Sequence, residues 1–337
     1  LGCLEVAKSH NIDGVTTIAA HHALKTVGTI NDSLGLTGPK LNTIEKCITK
    51  NLFRKSLGID NKFNIKFREC RNLEEALHIS GDFIFPIIIK PADSSGSKGV
   101  VLCNDKKELH ANFQYSFQES GSGIVVMEDF ISGKEYSVES ITENSNTKII
   151  AITEKQTSDS PYFVEISHTI PANLSRSKQK EIENAVIYIL NSIDYNNGPA
   201  HTELKYTSSG PKIIEINPRP GGDNIWSKLV PLAMNTNILK ETIMHSLGKK
   251  INVDTKNTCI VSLNYFYSIK SGFLREINIS PKIKNLDEIT ELKINAKVGQ
   301  FISCMEQSRD RFGYFICTTD TYKTNKKKVD FIRKNIK

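Results

Sequence analysis

The sequence predicts an α/β protein, α+β in part, and three observations carry that expectation. Residues 1–45 read helix, strand, helix, the order of a parallel α/β unit. Further along, extended stretches are joined by short polar turns such as Ser208-Ser209-Gly210-Pro211, which makes a hairpin and not a crossover. Between them, residues 177–192 repeat Ile182, Ala185, Val186 and Ile189 at helical spacing.

A chain of 337 residues has length for two or three packed units. No apolar run is long enough to span a membrane, and no signal peptide is visible in a chain that opens at Leu1. The seven cysteines are scattered and odd in number, which argues for reduced thiols in a cytoplasm and against a disulfide framework or zinc site. The net charge of +7 is spread along the chain and not gathered into a nucleic-acid face. It suits attraction of small anionic substrates. Lys326-Lys327-Lys328, the one dense run, reads as a solvated helix face.

Taken in order, Leu4 to His10 is a helix, Asp13 to Ala20 a short buried strand carrying Val15 and Ile18, and Ala23 to Leu34 a helix stopped near Gly35. Lys50 to Leu57 is a helix ended by Gly58, Asn64 to Glu69 is extended, and Leu73 to Ile79 is helical. Ile87-Ile88-Ile89 is a buried strand ending at Lys90. A Ser/Gly loop, Ser94-Ser95-Gly96-Ser97-Lys98-Gly99, leads to a second strand. This hairpin can wrap an anion with backbone N–H groups, but it is neither a P-loop nor a dinucleotide fingerprint. Lys107 to Gln118 is helical and Gly123 to Phe130 a buried strand, followed after a turn by the strand Glu135 to Glu139. Lys148 to Thr153 is a strand, and Glu165 and His168 lie three apart on the extended segment Tyr162 to Pro171. After Gly248 come strands at 259–267, 288–296 and 311–319 and a closing basic helix. This tail carries no cluster of catalytic residue types.

The stretch Lys212 to Gly222 concentrates the chemistry. Ile214 and Ile216 alternate with Glu215 and Asn217, Pro218 and Pro220 end the strand, and Gly221-Gly222 frees the turn into a helix from Ile225 to Met234. A carboxylate and an amide oxygen at that spacing suit a hard cation such as Mg²⁺, and Arg219 suits a phosphate or carboxylate. The preceding strand, Gly198 to Tyr206, has His201, Glu203 and Lys205 on one face, and the hairpin turn sets Glu203 near Glu215. Two carboxylates so placed repel unless a cation neutralises them. Lys90, without a visible partner at the end of an Ile-rich strand, is costly there unless it has a task.

In their order these motifs resemble the ATP-grasp superfamily, and more narrowly its carboxylate–amine ligases of the L-amino-acid ligase and carnosine synthase type. They are Lys50 heading a helix, Pro86-Ile87-Ile88-Ile89-Lys90-Pro91, the Ser/Gly loop, Met127-Glu128-Asp129-Phe130-Ile131-Ser132-Gly133-Lys134-Glu135, and Glu203 with Glu215-x-Asn217-x-Arg219. Asp310-Arg311-Phe312-Gly313-Tyr314 also resembles the tail of these enzymes. The resemblance implies an ATP-grasp fold: two α+β subdomains clamping ATP, preceded by a truncated parallel α/β N-terminal domain. Boundaries would fall at 1–45 for that partial domain, 46–127 for the small lid subdomain, 128–248 for the central subdomain with the metal site, and 249–337 for a β-rich C-terminal subdomain.

By the same resemblance, Lys50 and Lys90 hold ATP phosphates. Ser94, Ser95, Gly96, Ser97 and Gly99 form the closing loop. Glu128, Phe130 and Ile131 meet adenine, Glu135 the ribose, and Lys155 lies on the nucleotide side. Glu203, Glu215 and Asn217 hold two Mg²⁺ ions, with Mn²⁺ as a substitute. Arg219 with Lys90 serves the acyl phosphate, and Glu165 and His168 lie by the substrate. The implied reaction joins a carboxylic acid and an amine, one of them an amino acid, through an acyl phosphate. The partners are small molecules, with no nucleic acid or membrane, and the family admits a homodimer. Rival readings are a carboxylase of the biotin-carboxylase type, for which no biotinyl domain or lysine-centred carrier motif is visible, and a non-catalytic nucleotide-binding module.

Overall fold

Every strand pair among the described residues is antiparallel. The computed structural model describes residues 2–94, 96, 98–159 and 162–336; Ser95 and Ser97, expected in a closing loop, lie outside the described residues. The chain begins with α1 (Gly2–Ser9), α2 (Leu24–Leu34), α3 (Leu41–Ile48) and α4 (Lys50–Leu57). Then come β1 (Phe67–Cys70), α5 (Leu73–Ile79), β2 (Ile87–Pro91), β3 (Val101–Cys103), α6 (Lys106–Gln118) and β4 (Val125–Asp129). β5 (Lys134–Glu143), β6 (Asn146–Thr157), β7 (Glu165–Ile170), α7 (Arg176–Ser192), β8 (Gly198–Thr207) and β9 (Gly210–Asn217) follow. The last part holds α8 (Val230–Met234), α9 (Ile238–Ser246), β10 (Ile260–Phe266), β11 (Gly272–Phe273), α10 (Pro281–Lys284), β12 (Ile289–Ile294), β13 (Phe301–Ile302), β14 (Gly313–Thr319) and α11 (Tyr322–Lys334).

Two sheets face the same space. The smaller has the order β1-β4-β2-β3. Ile87 and Ile89 of β2 pack with Leu109 and Phe113 of α6 and with Val125 and Met127 of β4. Ile88, one residue out of phase, looks the other way with Lys90. The larger sheet has the order β12-β14-β10-β7-β6-β5-β8-β9. One of its faces is covered by α7, where Ile182, Val186, Ile189 and Leu190 meet Val138, Ile152, Leu204 and Ile216. The opposite face is covered at one end by Trp226, Leu229 and Val230 packed on Ile141, Ile170, Val261 and Ile316. At the other end the same face is left open to the small sheet, and there the charged side chains gather.

Several expectations are corrected. Residues 13–20 are not a strand, because no strand among the described residues pairs with them; Ile18 is 43% exposed. The helix expected from Ile225 starts as a π-helical turn, Ile225–Leu229, before α8. Of the strands after residue 248, β11 and β13 pair with each other, while β10, β12 and β14 extend the central sheet: β10 pairs with β7, so that sheet runs through the boundary. Strict alternation in β9 also fails. A bulge between the Glu203 and Leu204 partners leaves Ile214 as the extra residue, so Ile213 and Ile216 both reach the core while Ile214 faces the cavity. Glu203 and Glu215 are cross-strand partners, as the hairpin requires.

Candidate active site

A cavity of about 510 Å³ lies between the two sheets. Strand alternation builds its floor: His168, Lys155, Glu135, Glu203 and Glu215 come from β7, β6, β5, β8 and β9 in turn and share one face. Its roof is Lys90 with Ile88 from the small sheet, and α4 contributes Lys50 at one side.

The roof is held by an ion-pair chain. Lys90 Nζ lies 2.6 Å from Glu128 Oε2, and Arg54 Nε lies 2.8 Å from Glu128 Oε1. Arg54 also donates to the carbonyl oxygens of Ile213 (2.7 Å) and Ile214 (3.0 Å), at the β9 bulge. Burial draws the Lys90 ammonium down to about 8, with Arg54 and Lys50 adding repulsion that Glu128 only partly offsets. For Glu128, burial alone would raise the carboxyl, but Arg54 and Lys90 hold it at about 2. Lys90 is therefore paired, contrary to the expectation of a lone lysine. Glu128 is 3% exposed, with one oxygen on Arg54 and the other on Lys90, so it anchors Lys90 where it lines the cavity. Lys50 donates from Nζ to the Ser94 carbonyl, and its backbone N–H to Ala92 at 2.8 Å, fixing α4 to the loop that carries Gly96 and Gly99.

The floor is a ladder of alternating charge. Glu139 lies 2.5 Å from His201 Nδ1, His201 Nε2 3.1 Å from Glu203, and Glu203 3.0 Å from Lys155. Lys155 also reaches Glu135 and Glu165, each at 3.4 Å. Burial opposes the charge on His201, yet Glu139 and Glu203 raise it to about 9. Burial likewise opposes Lys155, but its three carboxylates lift it well above the ordinary range. Glu203 would be raised by burial, and Lys155 and His201 reverse that, holding it well down. For Glu135 burial prevails over Lys155, and its carboxyl is raised. The repulsion expected between Glu203 and Glu215 is thus relieved on one side by protein cations.

Glu215 has no ion pair among the described residues; Asn217 Nδ2 donates to it at 2.7 Å. No three His, Cys, Asp or Glu side chains among the described residues are gathered as a metal cluster. The donors present still fit Mg²⁺. Glu203, Glu215 and the Asn217 amide are hard oxygen donors on adjacent strands, and such an ion takes its remaining ligands from phosphate and water.

At the far end, Arg311 donates from both terminal nitrogens to Asp223 (2.9 and 3.1 Å) and lies 3.8 Å from the centre of the Tyr265 ring. Its Nε donates to the Ser308 carbonyl. His168 Nε2 is 3.3 Å from Asp223, and Ser308 Oγ donates to Glu165 at 3.3 Å. Burial would raise Asp223, but His168 and Arg311 hold its carboxyl well below the usual range. Arg219 makes no ion pair among the described residues; its Nε is buried without a partner, and one terminal nitrogen donates to the Pro220 carbonyl. Beside the Phe130 and Ile131 segment, Lys205 stands 5.4 Å from the Phe130 ring and 5.8 Å from Phe163.

Lys50, Lys90, Ser94, Gly96, Glu128, Phe130, Ile131, Glu135, Lys155, Glu165, His168, Glu203, Glu215, Asn217 and Arg219 all line this one cavity. Gly99 does not; a Cβ there would meet Pro91 and Glu119. Sequence reasoning missed Arg54, Phe163, Asp223, Arg311 and His21. Arg54 was legible as the i+4 neighbour of Lys50 on one helix face. Arg311 stands in the Asp310–Tyr314 motif but was given no task; with Ser308 it reaches the cavity from a tail read as carrying no cluster of catalytic residue types.

Comparison with known proteins agrees with this architecture. Residues 83–228 match the family model described as an ATP-grasp domain. The chain carries an ATP-grasp domain and has the ATP-grasp fold. It is 28% identical over 315 residues to an uncharacterised protein of Sinorhizobium fredii, covering 92% of this chain and 65% of that one. It is 26% identical over 179 residues to a D-alanine–D-alanine ligase of Flavobacterium psychrophilum, covering 50% and 54%. The chain thus spans about half to two thirds of the length of these curated relatives. The L-amino acid ligase of Bacillus licheniformis superimposes with a TM-score of 0.83 at 21% identity, over 99% of this chain and 82% of that one. No helix among the described residues is long and apolar enough to cross a membrane.

Proposed function

We propose that the protein is an ATP-dependent carboxylate–amine ligase that forms an amide through an acyl phosphate, with an amino acid as one substrate. One observation carries this reading: Lys50, Lys90, Glu165, His168, Glu215, Asn217 and Arg219 all line a single cavity. The substrate carboxylate oxygen attacks the γ-phosphorus of ATP, and the bond to ADP breaks. The amine nitrogen then attacks the acyl carbon, phosphate leaves with the C–O bond electrons, and the nitrogen loses a proton.

Lys50 and Lys90 bind and orient the phosphates, and Phe130, Ile131 and Glu135 receive the nucleoside. Arg219 neutralises the carboxylate and then the acyl phosphate. Glu165 or His168 takes the proton from the amine. Glu203, Glu215 and Asn217 would hold Mg²⁺, two ions in this reading, which supplies charge neutralisation for the transferring phosphoryl group.

The test is ADP release measured with acids and amines singly and in pairs. Release should need both partners, and Glu215→Gln should lower kcat at least roughly 100-fold with an unchanged melting temperature. Turnover that survives in that variant, or that depends on bicarbonate alone, defeats the reading.

A further inference from the structure

His21 comes from the segment ahead of α2, far in sequence from the other cavity residues, yet it reaches the centre of the site. Its backbone is seated on the loop after Arg219: the Ala19 N–H donates to the Pro220 carbonyl at 3.4 Å, and Ala19 adopts φ 60°. A Cβ on Gly222 would stand 3.3 Å from the Ala19 side chain, so the two segments are in close contact. A 3₁₀ turn, His21–Ala23, then directs the imidazole to Asn217, Nδ1 to Oδ1 at 3.3 Å.

The partners fix which atoms face each other. A carboxylate only accepts, so the Asn217 group 2.7 Å from Glu215 is its NH₂. The Asn217 oxygen then faces His21, and His21 must donate to it from Nδ1. Asn217 is 3% exposed and is gripped at both ends of its amide, the nitrogen by Glu215 and the oxygen by His21. An amide oxygen has two lone pairs, and the second stays available toward the cavity. With the His21 bond gone, only Glu215 holds the amide, through the NH₂, and the oxygen loses the donor that fixes its direction.

We infer that His21 is a positioning residue: it locks the Asn217 amide with its oxygen ready for a divalent cation, and so ties metal loading to the seating of residues 19–23 on the Pro220–Gly222 loop. The inference rests on the proposed metal role of Asn217. The test is binding of Mn²⁺ with a non-hydrolysable ATP analogue, followed by electron paramagnetic resonance. An asparagine side chain places its NH₂ near the position of the histidine Nδ1, whereas leucine has no donor. His21→Leu should weaken Mn²⁺ binding roughly tenfold, the usual scale for losing a partner behind a ligand, and His21→Asn should recover most of it. Hydrogen exchange of residues 18–24 should slow on Mn²⁺–nucleotide binding in the native chain and in His21→Asn, but not in His21→Leu. Native-like Mn²⁺ affinity in His21→Leu, or equal loss in both variants, overturns the inference and leaves the ligase reading standing. A native chain that binds no Mn²⁺ defeats both.

Discussion

Lys90 shows how a single residue can be poised by its surroundings. Burial, Arg54 and Lys50 all disfavour its charge, and at about 8 it is part neutral near that pH. Phosphate oxygens favour the charged form, so nucleotide binding should take up a proton as pH rises through 8. Calorimetry in buffers of different ionisation enthalpy should detect that uptake at pH 8, with affinity falling above it. Lys90→Met should bind weakly and show no such uptake; unchanged proton linkage in that variant would refute the assignment. The importance of Lys90 was legible from an Ile-Ile-Ile-Lys run. Its partner was not, because Glu128 lies 38 positions away and only the β2–β4 pairing brings them together.

The element that organises the floor is the β5–β8–β9 ribbon. Glu139 faces His201 across β5 and β8, and His201 faces Asn217 across β8 and β9, so one rung of the ladder runs through three strands. His201 is raised from 6.5 to about 9. A group raised on folding stabilises fully below its unfolded value and loses that contribution as pH rises through the folded one. Native stability should therefore lose on the order of 3 kcal/mol relative to His201→Gln between pH 6.5 and 9. Urea unfolding at both pH values checks this, and parallel slopes would refute it. The hairpin itself was readable from its turn and alternation. The β9 bulge was not, since Lys-Ile-Ile-Glu-Ile-Asn is compatible with an unbroken strand; the carbonyls of Ile213 and Ile214 at the bulge are met by Arg54, which comes from another element. Likewise, helical periodicity gave α4 and α7 nearly residue for residue, while residues 13–20 read as a strand because their apolar content was visible and their lack of a neighbour was not.

Across the whole molecule, a buried guanidinium bridges the small sheet and the central sheet. Arg54 is 1% exposed and bonds to Glu128 on one side and to β9 on the other. Arg54→Met should cost about 3–5 kcal/mol, because it strands a buried carboxylate with Lys90 alone. Adding Glu128→Gln should return part of that loss. Denaturant titration of the single and double variants reads both numbers, and a single variant as stable as the native chain would refute the joint. The same bond has a dimensional consequence. Lys50 and Arg54 share α4, while Lys90 and Glu128 share the small sheet, so the Arg54–Glu128 contact sets the gap between the two ammonium groups as a screw sets a caliper. In the proposed ligase, a phosphate chain would meet jaws already gauged.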